Sequence, residues 1–234
     1  MSADALGGGG AVARAWERSF FSKLPPASAQ AILASAHEEA IEPGQNIYRE
    51  LAEPRFAFVA IVVSGLLRVY VTSPTGRRIT IRYVREGEVV GLPSLLVQGA
   101  PAGGEAIVRG SILRIDPPTV RRLATEDPAV GWTIAVELAQ QLIHDERMLT
   151  SNVFGTVRER VARHLLELGV LQGDRLVVRI TQQELADSIG SVREVVARVM
   201  IGLRDDGLLE REGERVVVLG HERLARIARG EEAV

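Results

Sequence analysis

Arg193, Glu194 and Arg198 lie within six residues of one another in a run that reads as a helix. Arginine can donate two hydrogen bonds to guanine O6 and N7, and glutamate can accept one from cytosine N4. At i, i+1 and i+5 near a helix start, the three could read base edges in a major groove. The same spacing also makes an ordinary solvated face, with Glu194 and Arg198 as an i,i+4 pair worth roughly 0.2–0.5 kcal/mol. The neighbouring residues decide between these readings, because they determine where the three side chains are held.

Those neighbours, residues 181–204, read TQQELADSIGSVREVVARVMIGLR. Thr181 and Glu184 have the T-x-x-E spacing of a capping box. Leu185, Ala186 and Ile189 give the first helix an apolar face. Gly190 falls where the chain must turn, and glycine tolerates the positive φ such a turn needs. Val195, Val196, Val199, Met200 and Leu203 then recur at helical spacing. Small Ala186 allows close approach, and Val196 packs the second helix on the first. This predicts a helix-turn-helix whose second helix presents Arg193, Glu194 and Arg198.

The run G-S-V-R-E-V-V-A-R-V-M at 190–200 resembles the recognition helix of the CRP/FNR transcription factors, which typically read G-x-[ST]-R-E-x-V-x-R. Val192 departs from that pattern, standing where the family usually has the Ser or Thr that caps the helix. Ser191, with Glu194 three residues on, is the expected substitute cap. By this resemblance Arg193, Glu194 and Arg198 would face base edges of a palindrome with TGTGA-like half-sites. Gln182, Ser191, Arg211 and Arg215, on the helix-turn-helix and the following wing, are the candidates for phosphate.

The rest of the chain supplies elements to hold this motif. The expectation for residues 1–15, with four consecutive glycines, is a flexible arm. Trp16, Phe20, Phe21 and Leu24 form an apolar cluster, and 27–37 reads as a short helix. Segments 59–63, 66–71, 78–84 and 107–115 are rich in β-branched residues. Turn signals at 64–65, 73–76, 86–87 and 108–110 divide them, arguing for a small barrel or roll. The run from EPGQNIY (42–48) through VSGLLRVY (63–70) and GRRITI (76–81) to REGEVVGL (85–92) resembles the sensor domain of the same family. The resemblance covers nearly all of 27–230 in the family's order.

The expected fold class is therefore α+β. A β-roll sensor domain, cyclic-nucleotide-binding-like, occupies 16–126. A long dimerisation helix and hinge follow at 127–153, then a winged helix-turn-helix at 154–234. In that last domain 156–168 reads as a helix, 176–180 as a strand, 208–219 as the wing hairpin and 224–228 as a closing helix. On the long helix, Ala135, Leu138, Leu142, Asp145, Leu149 and Asn152 step 3,4,3,4,3, a heptad seam that predicts a homodimer. The alternative is a helix packed only on its own domain. Asp145 is anomalous in an apolar seam, since two-fold symmetry would pair two carboxylates.

Relatives that bind cyclic nucleotides hold the phosphate with a helix start after G-E-x-x-G and a following Arg-Ser pair. The chain keeps Gly87, Glu88 and Gly91, but the Arg-Ser positions fall on Gly104 and Glu105. The family's base-contacting pair falls on Asp145 and Glu146. One change removes a cation and the others add carboxylates, so cAMP and cGMP are not expected effectors. Haem, used by some relatives, has only His37 and His144 as plausible axial ligands and is not expected either. With no cysteine, disulfides and cysteine-ligated iron–sulfur clusters are excluded.

The 234 residues suffice for two domains, and 46% hydrophobic with 25% charged residues is ordinary for a globular protein. The N-terminus has no signal-peptide pattern, so the expected location is cytoplasmic. Net charge is −2, and from residue 154 onward 13 arginines face 14 acidic residues. Nucleic-acid binding would then need a local basic face rather than a global field. No G-x-S-x-G, phosphate-loop or H-E-x-x-H motif is present, and no enzyme is expected. The expected partners are double-stranded DNA and a second copy, with no membrane. RNA polymerase is a further partner the resemblance implies, although the loop 169–174 is shorter than the family's polymerase-contacting loop. Two alternatives stay open: a module acting through protein contacts, and a haem- or small-molecule-gated regulator.

Overall fold

A computed structural model describes residues 10–50, 57–74, 76, 78–97, 102–213 and 215–232, with backbone only at 151 and 152. The fold is α+β, and the chain divides into two compact units, residues 1–71 with 81–145 and residues 72–80 with 146–234.

The first unit is built on a six-stranded antiparallel sheet. β1 (His37–Ile41), β6 (Gly103–Ile115), β3 (Val59–Thr72) and β4 (Arg78–Val84) follow one another across it. β2 (Asn46–Tyr48) adds to β6 and β5 (Val89–Val90) to β3. Two apolar layers result from the strand period of two. Val59, Ile61 and Val63 face one layer with Phe21, Ile32, Leu113 and Ile115. Phe58, Ala60 and Val62 face the other with Ile41, Val84, Val90 and Ile112.

The expected turn at 64–65 is not a turn. β3 runs through it as one strand, and its pairing with β6 shifts register at three places between Val62 and Leu67. The bulge reverses the facing parity: even-numbered residues enter the second layer before it, odd-numbered Leu67 and Val69 after it. Glycines permit the crossing, since a Cβ on Gly110 would lie 2.1 Å from the Ser64 carbonyl oxygen. The expected turn at 108–110 is likewise interior to β6.

Helices cover the first layer. α1 (Gly10–Arg18) replaces the end of the expected arm from Gly10 on, because Val12, Ala15 and Trp16 recur at helical spacing and are buried; residues 1–9 lie outside the described residues. A 3-10 turn (Phe20–Lys23) buries Phe20 and Phe21, with the two rings 4.2 Å apart. α2 (Pro26–Ala34) ends before His37, which opens β1 instead. α3 (Pro93–Leu96) is one turn, and α4 (Pro117–Glu126) is capped by Asp116 through Thr119 N–H at 2.9 Å. α5 (Pro128–Phe154) stays helical to the end of the expected helix-and-hinge segment at 127–153, and the break comes at Gly155.

The second unit has a four-stranded antiparallel sheet in the order β7 (Val170–Gln172), β8 (Arg175–Arg179), β10 (Arg215–Val218), β9 (Leu209–Glu212). β7 was expected to be loop; its three residues are all exposed, so they carry no alternating pattern. α6 (Val157–Leu168) starts in a complete Thr156–Glu159 capping box and buries Val161, Leu165 and Leu168. α9 (His221–Ala228) packs against it with Leu224 and Ile227 buried.

Candidate nucleic-acid interface

α7 (Gln182–Ser188) and α8 (Arg193–Asp205) form the helix-turn-helix in this second unit. The Thr181 hydroxyl accepts from Glu184 N–H at 3.1 Å, and the Glu184 carboxylate accepts from Thr181 N–H at 2.8 Å. That reciprocal cap fixes the start of α7, and Thr181→Ala would cost about 1 kcal/mol. Gly190 adopts φ 67°, which only glycine takes without strain. Ser191 N–H closes the turn on the Ala186 carbonyl at 2.9 Å. Ala186, Val196 and Leu203 are fully buried.

With that face of α8 inward, Arg193, Glu194 and Arg198 are exposed on the other. The N-cap of α8 is Val192, not Ser191, and it makes no side-chain cap bond. Beside the helices a cleft of about 770 Å³ is lined by Gln182, Arg193, Arg211 and Arg215, together with Arg179 and Arg204. Glu194, Arg198 and Ser191 are not among the residues lining that cleft. Arg211 turns its Nε–H onto the Gly213 carbonyl at 2.9 Å, bracing the β9–β10 turn. Arg179 and Arg204 were missed in the sequence. Arg204 lies three helical turns from Arg193, a spacing visible in the chain, whereas Arg179 needed the strand register.

Pairing concentrates positive charge here. From α6 onward other guanidiniums are engaged: Arg158 with Asp206, Arg175 with Glu212, Arg223 and Arg226 with Glu232, Arg229 with Glu231. Arg160 and Arg163 donate to the carbonyls of Ile189 and Ala228. Among the described residues, no carboxylate or carbonyl engages the side chains of Arg179, Arg193, Arg198, Arg204 or Arg215. The C-terminal part, near neutral by count, thus carries arginines without ion-pair partners on α8 and the adjoining cleft, which Glu184, Glu210 and Glu212 also line.

A family model of the Crp-like helix-turn-helix domain matches residues 159–227, and one of the cyclic nucleotide-binding domain matches 38–127. The transcriptional regulator LdrP of Thermus thermophilus is 31% identical over 160 residues, covering 66% of this chain and 79% of the relative. The chain belongs to the CRP/FNR family. The cAMP-activated global transcriptional regulator Vfr of Pseudomonas aeruginosa is 28% identical over 169 residues, 68% of this chain and 79% of that one. The solved structure of FixK2 from Bradyrhizobium japonicum matches with a TM-score of 0.70 at 25% identity, covering 85% of this chain and 98% of FixK2.

As a CRP/FNR member the chain is a transcription regulator with a helix-turn-helix DNA-binding domain. Its cyclic-nucleotide-binding-like unit holds the other predicted site. Gly87 and Gly91 both have positive φ, and the Glu88 carboxylate accepts from Arg85 N–H at 2.8 Å. On β6, the Tyr48 ring lies against Gly104 so closely that a Cβ there would meet it at 2.2 Å. The Tyr70 ring lies over Gly103 in the same way, and its hydroxyl donates to Asn46 at 3.2 Å. Glu105 is ion-paired with Arg68 at 2.8 Å, both side chains largely buried. Pro101, in the gap preceding these residues, lies outside the described residues.

The Arg82 guanidinium donates to Gln141 on α5 at 3.2 Å. Asp145, one turn further along α5, is half-buried, and one carboxylate oxygen accepts no hydrogen bond among the described residues. Burial raises its pKa, while Arg82 and His144 pull it down. Burial likewise raises the Tyr48 hydroxyl, with Arg82 opposing. Glu146 is exposed.

This placement corrects the seam expected on α5. Val130, Ile134, Leu138, Gln141, Asp145 and Met148 occupy its buried or half-buried side, and Leu138 packs on the core with Ile134. Ala135, Leu142 and Leu149 of the expected seam are exposed, but Leu138 and Asp145 are not their companions. The exposed apolar stripe instead runs through Trp132, Ala135, Val136, Ala139, Leu142, Ile143, Leu149 and Val153, the phase shifting by one residue. Leu142 is 60% exposed and Trp132 73%. Asp145 is half-buried on the side of α5 that faces its own unit, within electrostatic reach of Arg82 and Tyr48.

The two histidines named as possible axial ligands lie on the surface. His37 and His144 are exposed, and His164 is buried within α6. Burial, reinforced by Arg163 and Arg160, pushes the His164 imidazole down to about 3.

Proposed function

We propose that this chain is a homodimeric, sequence-specific transcription regulator that binds a palindrome with TGTGA-like half-sites and does so without cyclic nucleotide. The observation that carries the reading is the set of arginines left without anionic partners on α8 and its flanking cleft. Arg193 and Arg198 read guanines, and Glu194 reads a cytosine on the opposite strand. Gln182, Ser191, Arg211 and Arg215 position the protein on phosphates, with Arg179 and Arg204 added from the cleft. The exposed apolar stripe on α5 supports the dimer, since a continuous stripe of this kind on a long helix favours burial against a second copy.

Independence from cAMP is supported by what fills the roll. A phosphodiester needs a free bidentate cation and backbone N–H donors. At the corresponding strand, Glu105 already holds Arg68, and the rings of Tyr48 and Tyr70 cover Gly104 and Gly103. No haem or metal is part of this reading, and RNA polymerase is kept as a partner on the family's precedent. Regulation takes place in the cytoplasm. Binding-site selection with the purified full chain, without added nucleotide, tests the proposal. The expected result is an enriched palindrome whose half-site centres are about one helical turn apart. Recovery of unenriched sequence, or retention of protein partners only, would favour the module acting through protein contacts.

A further inference from the structure

Val192 departs from the usual chemistry of a helix start. It is the N-cap of α8, with φ −109° and ψ 150°, and it offers no side-chain acceptor to the first turn. Valine is among the poorest residues at this position, where Ser, Thr, Asp or Asn would bond a free backbone N–H. Its side chain is 56% exposed, while α8 buries Val196, Met200 and Leu203. Breaches of local preference in a folded protein tend to lie at functional positions. Arg193 and Glu194, both exposed, follow it directly at the end of α8 proposed to enter the groove.

An aliphatic side chain there can neither donate to a phosphate nor accept from a base. The thymine C5-methyl is the apolar group that the major-groove edge of DNA presents. The geometry points to Val192 as a specificity-determining residue that packs on a thymine methyl beside the base pair read by Arg193. This inference rests on the proposed reading of DNA. It adds a thymine requirement to a helix whose other readers recognise only guanine and cytosine.

The test uses the full chain and the duplex recovered by binding-site selection, with each thymine in turn replaced by uracil, which lacks the methyl group. For the unaltered protein, uracil at one position per half-site is expected to weaken binding about fourfold per half-site, the worth of one buried methyl. Val192→Ala should lose most of that penalty and Val192→Ser all of it. Arg198→Ala should keep it while relaxing a guanine preference. Val192 is exposed, so these variants are expected to fold, and light scattering and circular dichroism on each preparation verify it. The inference is overturned if no uracil substitution weakens the unaltered protein, if the selected half-site holds no thymine, or if Val192→Ala retains the full penalty. Failure of the unaltered protein to select any sequence is a separate result: it removes the DNA-reading function itself, and this inference with it.

Discussion

Arg179 on β8 and Arg215 on β10 are direct cross-strand partners. Like charges set opposite one another on antiparallel strands are destabilising by a few tenths of a kcal/mol up to about 1 kcal/mol. Glu212, the other cross-strand neighbour of Arg215, is bonded to Arg175 at 2.6 Å. Among the described residues no ion pair offsets the repulsion of these two guanidiniums.

Removing either member should have opposite effects on folding and on binding. Arg179→Ala is expected to leave stability unchanged or raise it by a few tenths of a kcal/mol. The same variant should weaken binding to all DNA sequences about equally and lower the salt slope by about one unit. Arg215→Ala should behave alike. Titrations at several salt concentrations on specific and scrambled duplexes check this, and a changed sequence preference for either variant would move these residues from phosphate to base.

Arg198 and Glu194 should act the other way. Arg198→Ala is expected to cost about 1–3 kcal/mol and to relax preference at one guanine per half-site. Glu194→Ala should chiefly tolerate a changed base pair opposite it. Selection repeated with each variant reads both outcomes; an unaltered preferred site after loss of Arg198 would mean that α8 does not lie in the groove as proposed.

The dimer is expected to depend on the outward stripe of α5. Leu142→Asp places a charge on that surface and should shift the protein to monomer at micromolar concentration, with specific DNA affinity lost in parallel. Leu142 is exposed in the single chain, so its own unit should stay folded. Light scattering that finds a stable dimer in this variant would place the interface elsewhere.

On the proposed reading, calorimetry with cAMP should detect no binding at micromolar nucleotide, because Glu105 already holds Arg68 and the rings of Tyr48 and Tyr70 cover Gly104 and Gly103. Micromolar affinity would mean that Arg68 and Glu105 separate readily.

His164 should make stability pH-dependent in a defined direction. In the unfolded chain a histidine takes up its proton near pH 6.5, whereas in the fold burial holds His164 neutral down to about 3. Across that window the unfolded state binds more protons, so stability is full above about pH 6.5 and falls as pH drops. The slope reaches up to about 1.4 kcal/mol per pH unit. Denaturant unfolding between pH 7 and 5.5 should show this fall, and His164→Leu should reduce it. Equal slopes for the two proteins would mean that the imidazole charges within the fold.

The helix-turn-helix was legible in the sequence because its determinants are local. A capping box, a turn glycine and an apolar repeat act over a few residues and need nothing distant to operate. The strand segments were legible for the same reason, through their β-branched content. Their continuity was not: the Ser64–Gly65 pair reads as a turn in isolation, and only the register against β6 makes it a bulge in one strand. The α5 seam shows the same division. Period alone admits two phases one residue apart, and packing of Leu138 on the first unit's core with Asp145 turned toward Arg82 selects one. Charge followed this pattern most fully. Composition determined that the C-terminal part is near neutral, but which arginines remain without partners depends on ion pairs such as Arg158–Asp206 and Arg175–Glu212, whose members lie tens of residues apart. Such pairs form only once the strands and helices have been packed together, and so tertiary structure alone decided where the basic face would be.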